Sequence, residues 1–191
     1  MSRNSILLIF VLLAVIKVFE TILPERSKTK GEVRLKWLFT CLLITGIMIY
    51  LFALFEFLYS GRLANLTLVA AGLVLVAVRI ALKTWVVKTL GKYWSIQIEI
   101  RKDQELVVSG PFRFMRHPAY FCTIIESFAV ILIMNSLYSV LLFWLVFFPL
   151  LLVKIHYEEK ELIGKFGDRY LDYKRKVFSL LPVKAYEDNG L

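Results

Sequence analysis

Cysteine is nearly absent: the chain has two, Cys41 and Cys122, and both lie inside apolar runs. That excludes a disulfide framework, and neither residue stands at metal-ligand spacing, so no metal is expected. Both read as small buried hydrophobes. Phosphate-cradling glycine loops are missing too. No GxGxxG follows a strand, and no strand–helix alternation exists to support a dinucleotide fold. Acidic residues are in short supply, 15 against 24 Lys and Arg, which leaves a net charge of +9. Such a surplus could suit nucleic acid, but the positive residues cluster between apolar runs rather than along one basic helix or aromatic platform. Nucleic acid is therefore not an expected partner. There is no internal repeat, low-complexity tract or soluble-domain boundary, so residues 1–191 read as a single membrane domain.

Apolar residues are what the chain has in excess. They make up 59% of its 191 residues, and this points to lipid as the solvent. Five stretches approach the roughly 20 residues needed to cross a bilayer as helix: Ser5–Leu23, Trp37–Tyr59, Leu66–Leu82, Ala119–Met134 and Leu137–Ile155. The first carries Lys17 and Glu20 and lacks a small-residue cleavage site, so it is read as a span and not as a secretory signal. The fold class expected is an all-α integral membrane protein of about five transmembrane helices.

Charge sets the expected orientation. The Pro24–Lys36 loop holds five Lys/Arg, Lys83–Pro118 seven and the tail from Lys154 eight. The opposite flanks hold Arg3, Arg62 and, at Asn135–Ser136, none. This alternation places the N-terminus outside and the C-terminus in the cytoplasm, in the plasma (inner) membrane.

The turn "MNSL" between the last two spans suits only an antiparallel hairpin, which brings Arg116–Tyr120 and Lys154–Glu161 to one mouth. On the entering side, Gly110-Pro111 forms a turn and Pro118 suits the first turn of a helix. Arg116 and His117 then sit beside that helix N-terminus, which favours anions. On the leaving side, Lys154, Glu158 and Glu161 fall at i, i+4 and i+7 on one face. A small zwitterionic ligand matches such a mouth. Interfacial anchoring and a salt-bridged solvated face are the ordinary alternatives.

The stretch "LVVSGPFRFMRHPAY" (Leu106–Tyr120), then "EE" (Glu158-Glu159), "FGDRYLDY" (Phe166–Tyr173) and "LLP" (Leu180–Pro182) resembles the isoprenylcysteine carboxyl methyltransferase family. The resemblance runs from near Trp94 to Pro182, so residues 91–191 are expected to form the methyltransferase core behind three N-terminal spans in 1–90. It implies S-adenosylmethionine as methyl donor, bound without a Rossmann domain. It also implies that His117, Pro118, Ala119 and Tyr120 line the cofactor site, with Gln97, the stretch Gln104, Glu105, Leu106 and Val107, and Phe112 in place of the family's frequent Tyr. Glu158 matches the acidic cofactor contact. Lys154 stands where relatives acting on prenylcysteine carry Arg. It keeps the charge but loses the planar fork that grips two carboxylate oxygens. Lys154, Glu158 and Arg116 are the candidate catalytic residues.

Methyl transfer from a sulfonium is an in-line displacement, and a carboxylate acceptor is already ionised near neutral pH. Alignment and exclusion of water are then the protein's contribution. An amine acceptor would need a base, for which His156 and Glu161 are the local candidates. The function expected is methylation of a lipophilic acceptor in contact with membrane lipid, on a prenylcysteine-like carboxylate or an isoprenoid or polyketide oxygen. A phospholipid amine N-methyltransferase and a non-enzymatic lipid-binding transporter or scaffold are the competing readings. Glu126 and Arg79, ionisable groups inside spans, are read either as a buried pair or as part of an acceptor pocket. Glu56 is expected to reach the outer interface.

Overall fold

The computed structural model describes residues 2–22, 32–60, 65–95, 98–100 and 105–182. Among the described residues helix predominates, with one short ladder. Its helices are α1 (Arg3–Ile22), α2 (Lys36–Tyr59), α3 (Leu66–Leu90), α4 (Pro118–Met134), α5 (Leu137–Leu142), α6 (Phe148–Phe166) and α7 (Asp168–Lys176). A π turn at Phe143–Phe147 joins α5 to α6 without a break. Strands β1 (Glu32–Arg34) and β2 (Ile98–Ile100) pair antiparallel, with Glu32 opposite Ile100.

Among the described residues, four helices are long and apolar enough to cross a membrane: α1, α2, α3 and the continuous α5–α6 rod. The fifth, α4, is a shorter apolar helix of 17 residues. Many large apolar side chains face outward, among them Leu8, Val15 and Phe19 of α1 and Leu145 of the rod. Exposure of that kind on helices apolar all round is how a chain meets lipid. The third helix runs eight residues beyond its expected end at Leu82, and the last runs eleven beyond Ile155.

Local sequence explains the joints. Asn135 adopts φ 51° at the end of α4, and Ser136 caps the next helix by accepting from the Ser139 N–H at 3.3 Å. Pro149 cannot donate to the turn before it, and the π turn at Phe143–Phe147 takes up that defect without ending the rod. Asn65 caps α3, its side chain accepting from Thr67 and Leu68 N–H. Glu56 does not reach the interface. It is buried and accepts from Ser136 Oγ at 2.8 Å and Tyr138 N–H at 3.0 Å, which ties the end of α2 to the hairpin turn.

Helices α3 and α4 pack most closely, and Gly72 is the reason. A Cβ there would lie 2.5 Å from Ile133 Cγ1 and 2.9 Å from the Ala129 carbonyl oxygen. One apolar cluster joins Ile6, Phe10, Ala53, Phe57, Val69, Val130 and Met134. A second gathers Leu42, Ile49, Ile131, Phe143, Phe147 and Leu151. Together they fix α4 between α2 and α3, which sets the heading of its N-terminus. Cys122 is buried, as expected of a small hydrophobe, and Cys41 is half-buried.

Candidate active site

The site begins where α4 begins. Gly110, with φ 59°, starts a 3₁₀ turn through Arg113 that docks on α3, and a Cβ there would meet Thr89 Oγ1 at 2.5 Å. From this turn the chain reaches His117, the residue before the first helical turn, with Pro118 at its start. The backbone of Arg116 and His117 is held from the far end of the chain. Their N–H groups donate to the carbonyls of Phe178 and Ser179, both at 2.9 Å.

Glu159, buried on α6, is the hub. Its Oε1 accepts from Arg116 Nε at 2.8 Å and Nη2 at 2.7 Å, and lies 3.1 Å from His117 Nε2. A carboxylate only accepts, so the His117 Nε2 carries the proton. Oε2 pairs with Lys174 Nζ at 2.7 Å. Arg116 also donates to the carbonyl oxygens of Lys174, at 3.0 Å, and of Val177, so its guanidinium caps the C-terminal end of α7. Beneath this, Tyr170, Tyr173 and Val177 pack with Leu106 and Val108, and Tyr173 Oη donates to the Phe112 carbonyl at 2.5 Å.

Glu158 has a different neighbour. Tyr120 Oη donates to Glu158 Oε2, while the Tyr120 ring stacks on His117 with centroids 5.6 Å apart. Lys154 also lies over that ring, its Nζ 5.0 Å from the Tyr120 centroid and 5.4 Å from that of Phe39. Lys154 is 4% exposed, and its ammonium lies against two aromatic faces.

Tyr120 and Lys154 also line a cavity of about 320 Å³ among α1, α2, α3, α4 and α6. Its walls are largely apolar, including Leu42, Gly46, Phe147 and Leu151. Deeper in lies an ion-pair cluster. Arg79 binds Glu20 through two nitrogens and reaches Glu126 Oε2 at 3.0 Å. Lys17 pairs with Glu126 at 3.0 Å, Lys83 with Glu20 at 2.5 Å, and Tyr50 Oη donates to Glu126 at 3.1 Å.

The structure thus brings together Arg116, His117, Pro118, Ala119, Tyr120, Lys154 and Glu158. Leu106 and Val107 are half-buried in an extended stretch, Leu106 against α7, while Glu105 is exposed. Gln97 and Gln104 lie outside the described residues. His156 is exposed, away from the cavity. Arg79 and Glu126 are paired with each other, as the first reading of them expected, and both also line the cavity. Sequence reasoning missed the hub role of Glu159, although its half of the "EE" pair was in view. It also missed Lys17, Glu20 and Lys83 as cavity residues; ionisable groups inside an apolar span were the available signal.

Two buried hydroxyls beside the hub, Tyr170 Oη and Ser179 Oγ, find no partner among the described residues. Burial pushes the Tyr170 phenol well above its usual range, with the Glu159 carboxylate adding to it. The phenol is therefore a standing hydrogen-bond donor.

A bundle of long apolar helices, with a polar cluster at the start of α4 and a cavity between the spans, defines an integral membrane protein. Residues 70–164 match the model of the isoprenylcysteine carboxyl methyltransferase (ICMT) family, and the chain belongs to that family. Among its relatives is the protein-S-isoprenylcysteine O-methyltransferase of Dictyostelium discoideum, 36% identical over 87 residues, covering 46% of this chain and 37% of that protein. The enzyme of the same name from Schizosaccharomyces pombe is 35% identical over 82 residues, covering 43% and 35%. An uncharacterized protein of Bacillus subtilis, YpbQ, is 29% identical over 116 residues, 61% of this chain and 68% of that one. The matched stretch therefore spans little more than a third of the two named enzymes.

Proposed function

We propose that this protein transfers a methyl group from S-adenosylmethionine to an oxygen of a hydrophobic, membrane-partitioned acceptor, a prenylcysteine-like carboxylate being the best fit. The observation that carries this reading is the position of Tyr120. Its hydroxyl faces Glu158 on the polar side, and its ring faces Lys154 at the wall of the apolar cavity. One residue thus joins an acidic group at the hairpin mouth to the wall of an apolar cavity, and a reaction between a soluble donor and a greasy acceptor needs both. The relatives named as isoprenylcysteine O-methyltransferases point the same way.

The donor pocket suits S-adenosylmethionine. Glu158 offers an acceptor for an ammonium or ribose hydroxyls. The group supplies an electrophilic methyl on a sulfonium. Tyr120 and His117 form an aromatic wall for that pocket. Lys154 orients an anionic acceptor oxygen from the cavity side, and its poor access to water keeps the attraction strong. No residue needs to remove a proton from a carboxylate. The basic loops, by their charge bias, support a site facing the cytoplasm.

The test is binding, then transfer. S-adenosylhomocysteine should bind the detergent-purified protein and fail to bind Glu158→Ala; absence of binding to the wild type overturns the reading in favour of a lipid-binding scaffold. Labelled methyl transfer into a lipid extract should give base-labile label, the mark of an ester. Base-stable label would mean an amine or ether instead.

A further inference from the structure

The cavity has two polar ends, and the proposed transfer uses only one. At the other end stand Lys17, Arg79 and Lys83 with Glu20, Glu126 and the Tyr50 hydroxyl. Among the described residues, two carboxylates balance two of the three cations. Arg79 already holds Glu20 through two nitrogens, so Lys83, paired to that same carboxylate, is the surplus charge. A net cation facing an apolar chamber carries a desolvation penalty that an anion entering the chamber would remove. A purely structural tie would do better with balanced charges or none.

The chamber is also open to lipid at this level. Val18 of α1 and Ile47 and Leu51 of α2 line it, yet are 54%, 51% and 59% exposed. An acyl or isoprenoid chain can lie out between α1 and α2 while its polar part sits inside. Along α4, Tyr120 and Glu126 are six residues apart, about 9 Å of helix rise. The polar part of the ligand therefore has room for two separate groups.

We propose that this cluster, through Lys83, is a recognition site for a second, negatively charged group on the methyl acceptor, distinct from the oxygen that is methylated. The proposal rests on the transferase reading above and narrows its substrate class to amphiphiles with two polar functions.

The experiment compares binding of two probes to the detergent-purified full chain: N-acetyl-S-farnesylcysteine, with one carboxylate, and N-succinyl-S-farnesylcysteine, with two. The wild type should prefer the second by about tenfold. Lys83→Met should bring the ratio close to one, and Lys83→Arg should restore it. Equal binding by the wild type, a preference that survives Lys83→Met, or no binding of either probe overturns the proposal and leaves the cluster a structural tie for α1. Repeating the titration in nanodiscs with and without phosphatidylglycerol separates acceptor from bilayer. A preference suppressed by the anionic lipid would assign the site to a headgroup and overturn the acceptor assignment. Methyl transfer is followed alongside. Transfer without charge discrimination keeps the activity and removes the anion site; discrimination without transfer does the reverse.

Discussion

The protein holds two buried charge clusters of opposite design. Around Glu159, one carboxylate gathers Arg116, His117 and Lys174, and the guanidinium goes on to cap α7. Around Glu20 and Glu126, five ionisable side chains from α1, α3 and α4 share contacts beside an open chamber. The first is closed on itself and holds three chain segments in register. The second borders space. A motif residue thus ties chain segments together, as Arg116 does, while residues of no motif line the chamber.

Breaking the closed cluster should have the largest effect. Glu159→Ala strands a buried arginine and should lower stability by about 3–5 kcal/mol, read as loss of monodisperse protein or a sharp fall in thermal midpoint in detergent. Its neighbour provides the contrast. Glu158→Gln should leave the thermal midpoint nearly unchanged while weakening S-adenosylhomocysteine by about 2 kcal/mol, the range for a hydrogen bond to a charged group. If both substitutions unfold the protein alike, the division between hub and ligand contact fails. Tyr120→Phe removes the Glu158 hydrogen bond but keeps the ring over Lys154. It should cost about 1 kcal/mol of donor affinity, with acceptor binding retained in a titration of the same sample. The smallest change is expected from Lys154→Arg, which keeps charge and aromatic contact and adds a fork. A fall of about twofold to threefold in acceptor KM at constant kcat would place the group on the acceptor side.

The spans were legible because apolar length and loop charge are local properties. The start of α4 at Pro118 and the turn at Asn135 follow from single residues with fixed backbone preferences. The division of labour between Glu158 and Glu159 was not legible. Adjacent residues on a helix point about 100° apart, and which one faces α7 depends on helix phase, set upstream where no charge marks it. The inner cluster was hidden for another reason. Lys17 and Glu126 are 109 positions apart, and nothing local says that one answers the other. Inside lipid each needs a partner, so the need could be read from the sequence, but the pairing came only with the packing of α1 against α4.

The π turn at Phe143–Phe147 inserts an extra residue into a rod that otherwise advances uniformly. Every side chain after it is therefore rotated by about 100° from where an unbroken α-helix would have put it. Lys154, about two turns further on, meets the aromatic pair, and Glu159, rather more than three turns on, meets the arginine because of that one-residue slip. Shortening the rod by a single residue at Phe143–Phe147 would leave its composition and its span intact, yet turn both groups out of their places at once.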